Sequence, residues 1–122
     1  MKDFRNLTVW EKAHELVLES YKATTNYPRS EMFGLTSQIR RAAVSIPANI
    51  AEGCGKRGNA EFQRFLNIAN GSASELEYHF LLSRDLHFIE NSSYEHLNAS
   101  IVEVKRMLSA LIRKIEVERV TS

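Results

Sequence analysis

Apolar residues recur at intervals of three and four along most of the chain, and no stretch keeps the alternation of apolar and polar residues that marks an exposed strand. This pattern predicts four helices, at about residues 8–26, 31–52, 60–87 and 93–118. Their connections are short, and short connections make successive helices antiparallel neighbours. The sequence therefore predicts an all-α, up-down antiparallel four-helix bundle that forms a single domain over residues 1–122.

Capping residues define the ends of these helices. Thr8–Glu11 and Ser92–Glu95 have the spacing of a capping box, in which a hydroxyl and a carboxylate satisfy two free amides. Asn59 is the predicted N-cap of the third helix, and Gly53 is the predicted C-terminal cap of the second. Pro47 removes one hydrogen bond within the second helix, which predicts either a kink or two short helices that meet there.

Each helix has an apolar seam that is expected to face the core. In the first helix it is Trp10, Ala13, Val17 and Tyr21; in the second, Leu35, Ile39, Ala42, Ile46 and Ile50; in the fourth, Leu97, Ile101, Val104, Leu108, Leu111 and Ile115. The third helix has two adjacent seams. One is Phe62, Leu66, Ala69, Ala73, Leu76, Phe80, Ser83 and His87, and the other is Phe65, Ile68, Ser72, Glu75, His79, Leu82 and Leu86. Two seams predict a second neighbour, which in a small bundle can be another subunit.

The stretch Gly34–Gly58 is rich in small residues, and small side chains let another helix approach closely. Its polar residues must still be satisfied where they are buried, since each unpaired group costs about 1–3 kcal/mol. Three polar residues of the second helix, Arg41, Asn49 and Glu52, are therefore expected to face Gln63, Ser72 and Glu75 of the third helix. They would form a structural polar network in which Arg41 pairs with Glu75 or Glu52.

The chain has a formal net charge of only +1, with a mild excess of basic residues in its first half. One cysteine, Cys54, cannot form an intramolecular disulfide and favours a reducing compartment. The N-terminal residues lack the apolar run of a signal peptide, and no apolar segment approaches the length of a membrane span. We therefore expect a cytoplasmic protein with no membrane partner.

Motifs for catalysis are weak. Gly53–Gly58 matches the glycine spacing of a dinucleotide site, but a helix precedes it where that site needs a strand. Glu11 and His14 have the spacing of a di-iron ligand pair, but a second copy of the motif is missing. Cys54 has no neighbouring base in sequence. We expect no enzymatic activity, no catalytic residue, no cofactor and no metal.

Basic residues are the remaining candidates. Arg40, Lys56, Arg57 and Arg64 are the predicted contacts to nucleic-acid phosphates, while Lys2, Arg5, Lys12 and Lys22 lie on or before the first helix. An ordinary solvated surface is the alternative interpretation. Few cations per chain bind weakly, but an oligomer would multiply them and add avidity.

Four segments resemble a known family: Leu7–Ala13, Tyr27–Pro28, Glu31–Gly53 (EMFGLTSQIRRAAVSIPANIAEG) and Phe62–Leu76. The chain resembles the four-helix-bundle proteins encoded in intervening sequences of bacterial large-subunit (23S) rRNA genes, which are sometimes labelled ribosomal proteins. That family is similar to the accessory variability determinants of diversity-generating retroelements. The resemblance implies a barrel-like homopentamer and, for the retroelement relatives, nucleic-acid binding with a reverse transcriptase as partner. It implies no catalytic residues, and this chain is less basic than the retroelement members.

The sequence thus supports two functional hypotheses. The first is a non-enzymatic homo-oligomer that binds RNA or DNA through its basic surface. The alternative is an oligomeric scaffold for protein interactions that does not bind nucleic acid.

Overall fold

The computed structural model describes residues 2–121, which contain four α-helices and no strand. The helices are α1 (Thr8–Thr24), α2 (Leu35–Cys54), α3 (Asn59–Asp85) and α4 (Asn91–Thr121), with short 3-10 turns at Phe4–Asn6 and Arg29–Glu31. The all-α prediction is confirmed. None of the helices in this part of the chain combines the length and apolar character needed to cross a bilayer.

Contacts between helices give the topology of the bundle. Each of α1 and α3 packs against both α2 and α4. Two polar contacts show that α1 and α4 run antiparallel, because Lys12 lies 3.6 Å from Glu103 and, further along α1, Glu19 lies 2.9 Å from His96, which is earlier in α4. The helices thus stand at the corners of a square, and α2 is diagonal to α4.

The predicted seams of α2, α3 and α4 form the core. All five seam residues of α2 are buried, as are Phe62 through Ser83 of the first α3 seam and every α4 seam residue except the half-buried Leu111. His87 is the exception in α3, because the helix ends at Asp85 and His87 takes a left-handed conformation at φ 63°. The amide of Phe88 then bonds back to Ser83, which closes the end of the helix.

The predicted seam of α1 is rotated from the observed one. Ala13 is buried and Trp10 and Val17 are half-buried, but Tyr21 is exposed; the buried positions of α1 are Val9, Ala13, Leu16, Ser20 and Thr24. The two hydroxyl residues can lie inside because Ser20 donates to the Leu16 carbonyl at 2.7 Å and Thr24 donates to the Ser20 carbonyl at 2.9 Å. A seam chosen from apolar residues alone therefore omits Ser20 and Thr24.

The predicted N-terminal caps are wrong. Each of Thr8, Asn59 and Ser92 lies inside its helix, and α1 and α3 begin after Leu7 and Gly58 without a side-chain cap. The first turn of α1 is instead closed by its backbone, since the amides of Trp10 and Glu11 both donate to the Leu7 carbonyl.

Helix α2 continues through Pro47 and past Gly53, so it is neither two short helices nor capped at Gly53. Gly53 is buried where α2 crosses α3. A Cβ atom at this position would lie 2.9 Å from Cβ of Phe65 and 3.1 Å from Cδ1 of Phe62. The glycine is required by the close approach of the two helices rather than by a turn.

This packing predicts opposite effects of alanine at two helical glycines. Gly53→Ala should destabilise the fold by about 1–3 kcal/mol, because the added methyl overlaps backbone-linked atoms of α3. Gly71→Ala is the matched control: Gly71 is helical and exposed, and nothing lies within 4 Å of its Cβ position. It should stabilise the fold by up to about 1 kcal/mol. Urea unfolding at one protein concentration measures both, and equal effects would contradict the packing.

Candidate functional site

Basic side chains gather at the end of the bundle where α2 passes into α3. The connection is only four residues long, from Gly55 to Gly58, so Lys56 and Arg57 project from a tight turn. Gly58 has φ 81°, a left-handed conformation that glycine adopts without strain. Lys56 and Arg57 are both exposed.

The N-terminal segment adds a third cation to this turn. The amide of Lys2 donates to the carbonyl of Cys54 at 3.0 Å, which ties the start of the chain to the end of α2. Lys2, Gly53, Cys54, Lys56, Gly58, Asn59 and Phe62 line a cavity of about 70 Å³. The sequence pattern does not predict this role for Lys2, because the contact depends on the chain folding back by about fifty residues.

Two aromatic rings of α3 support these cations. The Lys2 Nζ lies 5.7 Å from the centre of the Phe62 ring, and the Lys56 Nζ lies 5.5 Å from that of Phe65. The Arg64 guanidinium lies 4.5 Å from the same Phe65 ring. Such cation–π contacts hold a long side chain against the surface while its charge stays in water. We call Lys2, Lys56, Arg57 and Arg64 the basic cluster.

One member of the basic cluster is already paired. The Nε atom of Arg64 donates to Glu61 at 2.9 Å, which lowers the pKa of Glu61 and raises that of Arg64. Among residues 2–121, Lys2, Lys56 and Arg57 have no ion pair. These three cations are therefore available to an external anion.

Arg40 lies apart from the basic cluster. Its Nε atom donates to Thr24 at 2.9 Å, and its guanidinium lies 4.7 Å from the centre of the Tyr21 ring, so it ties α2 to the end of α1. Arg40 lies fourteen residues before Cys54, the last residue of α2, which is about 21 Å along the helix at 1.5 Å per residue. The structure therefore brings together Lys56, Arg57 and Arg64 of the predicted contacts, but not Arg40.

The predicted polar network is smaller than expected. Asn49 donates to the carbonyl of Ser45 at 2.8 Å and to its hydroxyl at 3.0 Å, and the Ser45 and Ser72 hydroxyls are 2.8 Å apart. The Ser45 oxygen accepts from Asn49, and either of the two serine hydroxyls can donate to the other. This chain of bonds joins α2 to α3.

Arg41, Glu52 and Glu75 are outside this network. Arg41 and Glu52 are exposed and make no hydrogen bond or ion pair within residues 2–121, while Glu75 lies 3.0 Å from Nε2 of His79. The predicted pairing of Arg41 with Glu75 or Glu52 is therefore wrong for the single chain. These side chains remain hydrated on the outer faces of α2 and α3, so burial does not force them to pair.

Within residues 2–121, no group of three or more His, Cys, Asp or Glu side chains has the arrangement needed to hold a metal ion. Cys54 is only 2% exposed, and burial raises the pKa of its thiol, an effect that the nearby Lys2 ammonium partly opposes. A raised pKa leaves less of the reactive thiolate at neutral pH.

Cys54 should consequently react slowly in the native protein. At pH 8 we expect an aromatic disulfide reagent to label it at least about tenfold more slowly than in denaturant, because the sulfur is both buried and protonated. The folded-state pKa exceeds the unfolded one, so the unfolded chain ionises first and stability should fall as pH rises past the ordinary thiol pKa. Equal labelling rates in the two states would contradict the burial of this thiol.

Comparisons with known proteins identify relatives of the chain. The sequence model of the 23S rRNA-intervening sequence protein family matches residues 5–110. A crystal structure of a protein with unknown function from the S23 ribosomal protein family of Bacteroides thetaiotaomicron VPI-5482 is 31% identical, with a TM-score of 0.78 over 86% of this chain and 98% of that chain. No curated protein matches the chain. Because this match covers most of the chain, the chain belongs to the 23S rRNA-intervening sequence protein family.

Proposed function

We propose that this protein is a non-catalytic homo-oligomer that binds RNA or DNA phosphates through its basic cluster. The observation that supports this most directly is the convergence of Lys2 and Lys56, with Arg57 next in the chain, at one end of the bundle. None of the three has an ion pair in the described part of the chain. An exposed cation that has no acidic partner gains most from a phosphate, since no existing pair must first be broken.

The basic cluster suits the phosphate backbone better than the edges of bases. Three of its cations, Lys2, Lys56 and Arg57, come from the N-terminal segment and a turn. Arg64 lies on α3 but is paired with Glu61, so the cluster presents no row of free cations on a helix face that could enter a groove. A few phosphate contacts give weak binding whose strength falls steeply with salt. Repetition of the cluster around an oligomer would raise the apparent affinity by avidity.

The incompletely covered second seam of α3 supports the proposed oligomer. Other large hydrophobic residues are also in solvent, and they include Leu18 on α1, Val44 on α2, Tyr78 on α3 and Val117 on α4. Ile68 belongs to the second α3 seam, which α2 covers only in part. The homopentameric barrel that the family resemblance implies would cover such residues and would place several basic clusters on one particle.

Charge reversal in the basic cluster tests the binding proposal. Lys56→Glu with Arg57→Glu should lower affinity for a labelled RNA hairpin by at least about tenfold at 50 mM salt, since two phosphate contacts become repulsive. Affinity of the parent protein should also fall with a log–log salt slope near the number of contacts. Fluorescence anisotropy measures both, with an RNA and a DNA of the same sequence.

Arg113→Glu with Lys114→Glu is the matched control, because it makes the same charge change at two adjacent exposed residues of α4. This control should retain most of the affinity and show the same circular dichroism as the parent. Equal loss in both double variants would assign the binding to net charge instead of the basic cluster. Absence of binding by the parent at low salt would reject the proposal and favour a protein scaffold.

Mass in solution tests the assembly separately. Light scattering should give about five times the 14.0 kDa of one chain, because the exposed apolar residues are expected to be covered by copies of the same chain. A mass that remains at one chain through the micromolar range would reject the oligomer and leave only weak binding by one basic cluster.

A further inference from the structure

Phe33 is almost entirely outside the folded chain. Its side chain is 95% exposed, the largest exposure among the large hydrophobic residues in the described part of the chain, and the neighbouring Met32 is also exposed. Scattered apolar side chains on a surface are ordinary, but a phenylalanine with nearly all of its ring in water is not.

The backbone beneath Phe33 is well ordered. The Arg29–Glu31 turn is followed by a bond from the Gly34 amide to the Glu31 carbonyl at 3.0 Å. The Glu31 carboxylate also accepts from the amide of Leu35 at 3.1 Å, which caps the start of α2. Phe33 is thus presented by a chain segment that is already ordered, so docking its ring costs little further conformational entropy.

A groove lies at the same end of the bundle, between α1, the α3–α4 connection and the start of α4. It is open to solvent and has a volume of about 710 Å³, and Phe33 is not among its lining residues. Its apolar surface comes from Ala23, Phe88, Ile89 and Leu97. This space exceeds what one phenylalanine ring needs, and its apolar walls would remove the ring from water.

The projecting ring and the groove have the relative placement that a ring-shaped assembly needs. Both lie at the same height along the bundle axis. The ring centres of Tyr27, which precedes the Arg29–Glu31 turn, and of Phe88 in the groove are 5.6 Å apart. They are on different sides, because Phe33 precedes α2, and α2 is diagonal to α4. Contacts between two different patches at one level generate a closed ring when the rotation between copies closes.

Charges around the two features are complementary. Arg29 is exposed one turn before Phe33 and has no ion pair within residues 2–121. The rim of the groove carries Glu90, equally unpaired in the same residues, and Glu19, which contacts His96, together with one lysine, Lys22. An acidic rim attracts Arg29 of another copy and disfavours a nucleic-acid phosphate.

We propose that Phe33 of one copy occupies the α1–α4 groove of the next copy, with Arg29 facing Glu90 across the contact. This inference rests on the proposed homo-oligomer and names the contact that builds it. Phe33 has the properties of an interface hot spot: it is aromatic, it is held in place, and it enters an apolar site with a polar rim.

Two single variants break opposite halves of this contact. Phe33→Glu removes the projecting ring and leaves the groove intact, whereas Ser93→Trp fills the groove from an exposed position on its rim and leaves Phe33 intact. Each should raise the dissociation constant of the assembly at least about tenfold, measured by light scattering and sedimentation. Ala110→Glu is the matched control, since it places the same charge at an exposed residue of α4 that is not one of the large apolar side chains, and it should keep the parent mass.

Mixing the two variants distinguishes this contact from any other. Phe33 of the Ser93→Trp chain can enter the free groove of the Phe33→Glu chain, but the return contact is blocked, so the mixture should give one-to-one dimers and no larger particle. Parent mass for Phe33→Glu would overturn the proposal while the oligomer itself stands. Loss of assembly only in Phe33→Glu, with no dimers on mixing, would overturn the groove as the docking site. A monomeric parent protein would overturn both the oligomer and this contact.

Phe33→Glu also separates the contact from direct nucleic-acid binding. If Phe33 instead stacks on a base, the variant will keep the parent mass and lose affinity for RNA, which would overturn the proposal. Loss of assembly should lower RNA affinity only through avidity, so a bead coated densely with the dissociated variant should regain most of the parent affinity.

Discussion

The close packing of α2 against α3 determines most of the other features of this structure. At one end Gly53 lets α2 lie against Phe62 and Phe65, where even a methyl group has no room. Nearer the middle, the hydroxyls of Ser45 and Ser72 meet across the same interface at 2.8 Å. Small residues on both helices make this approach possible, and the hydrogen bonds between them satisfy the polar groups that it would otherwise bury unpaired.

This packing also positions the candidate site. Because α2 and α3 are in contact up to their ends, the connection between them must reverse within Gly55–Gly58, and that tight turn places Lys56 and Arg57 together. The same two phenylalanines that pack against Gly53 present their rings to Lys2, Lys56 and Arg64. Phe62 and Phe65 therefore contribute both to the packing of α2 against α3 and to the placement of the cations.

The two ends of the bundle differ in chemistry. One end carries the basic cluster, while the other carries the exposed Phe33 and a groove with an acidic rim. A division of this kind suits a particle in which copies join at one level and phosphates bind at another, about one helix length away. The separation keeps the acidic rim of the groove from weakening the attraction of phosphates at the basic cluster, since charges in water are screened within about 10 Å.

The helical class, the number of helices and most of the core follow from the pattern of apolar residues alone. Apolar spacing in α2, α3 and α4 selects one face of each helix, and burial of that face is the dominant stabilising term, so the pattern and the structure agree. Family membership was also readable, because the motif within Glu31–Gly53 is long and specific.

Features that arise from contacts between residues distant in sequence are defined only in the folded chain. The inward face of α1 includes Ser20 and Thr24, whose hydroxyls bond to their own helix, so composition could not place them. The predicted Thr8 cap of α1 was wrong, because backbone hydrogen bonds to the Leu7 carbonyl close the first turn of that helix. Lys2 lies in the basic cluster and Arg40 does not. Each is held by a residue distant in sequence, Cys54 for Lys2 and Thr24 for Arg40. A local pattern encodes which face of a helix avoids water, whereas the location of a charged side chain depends on which helix end is its neighbour.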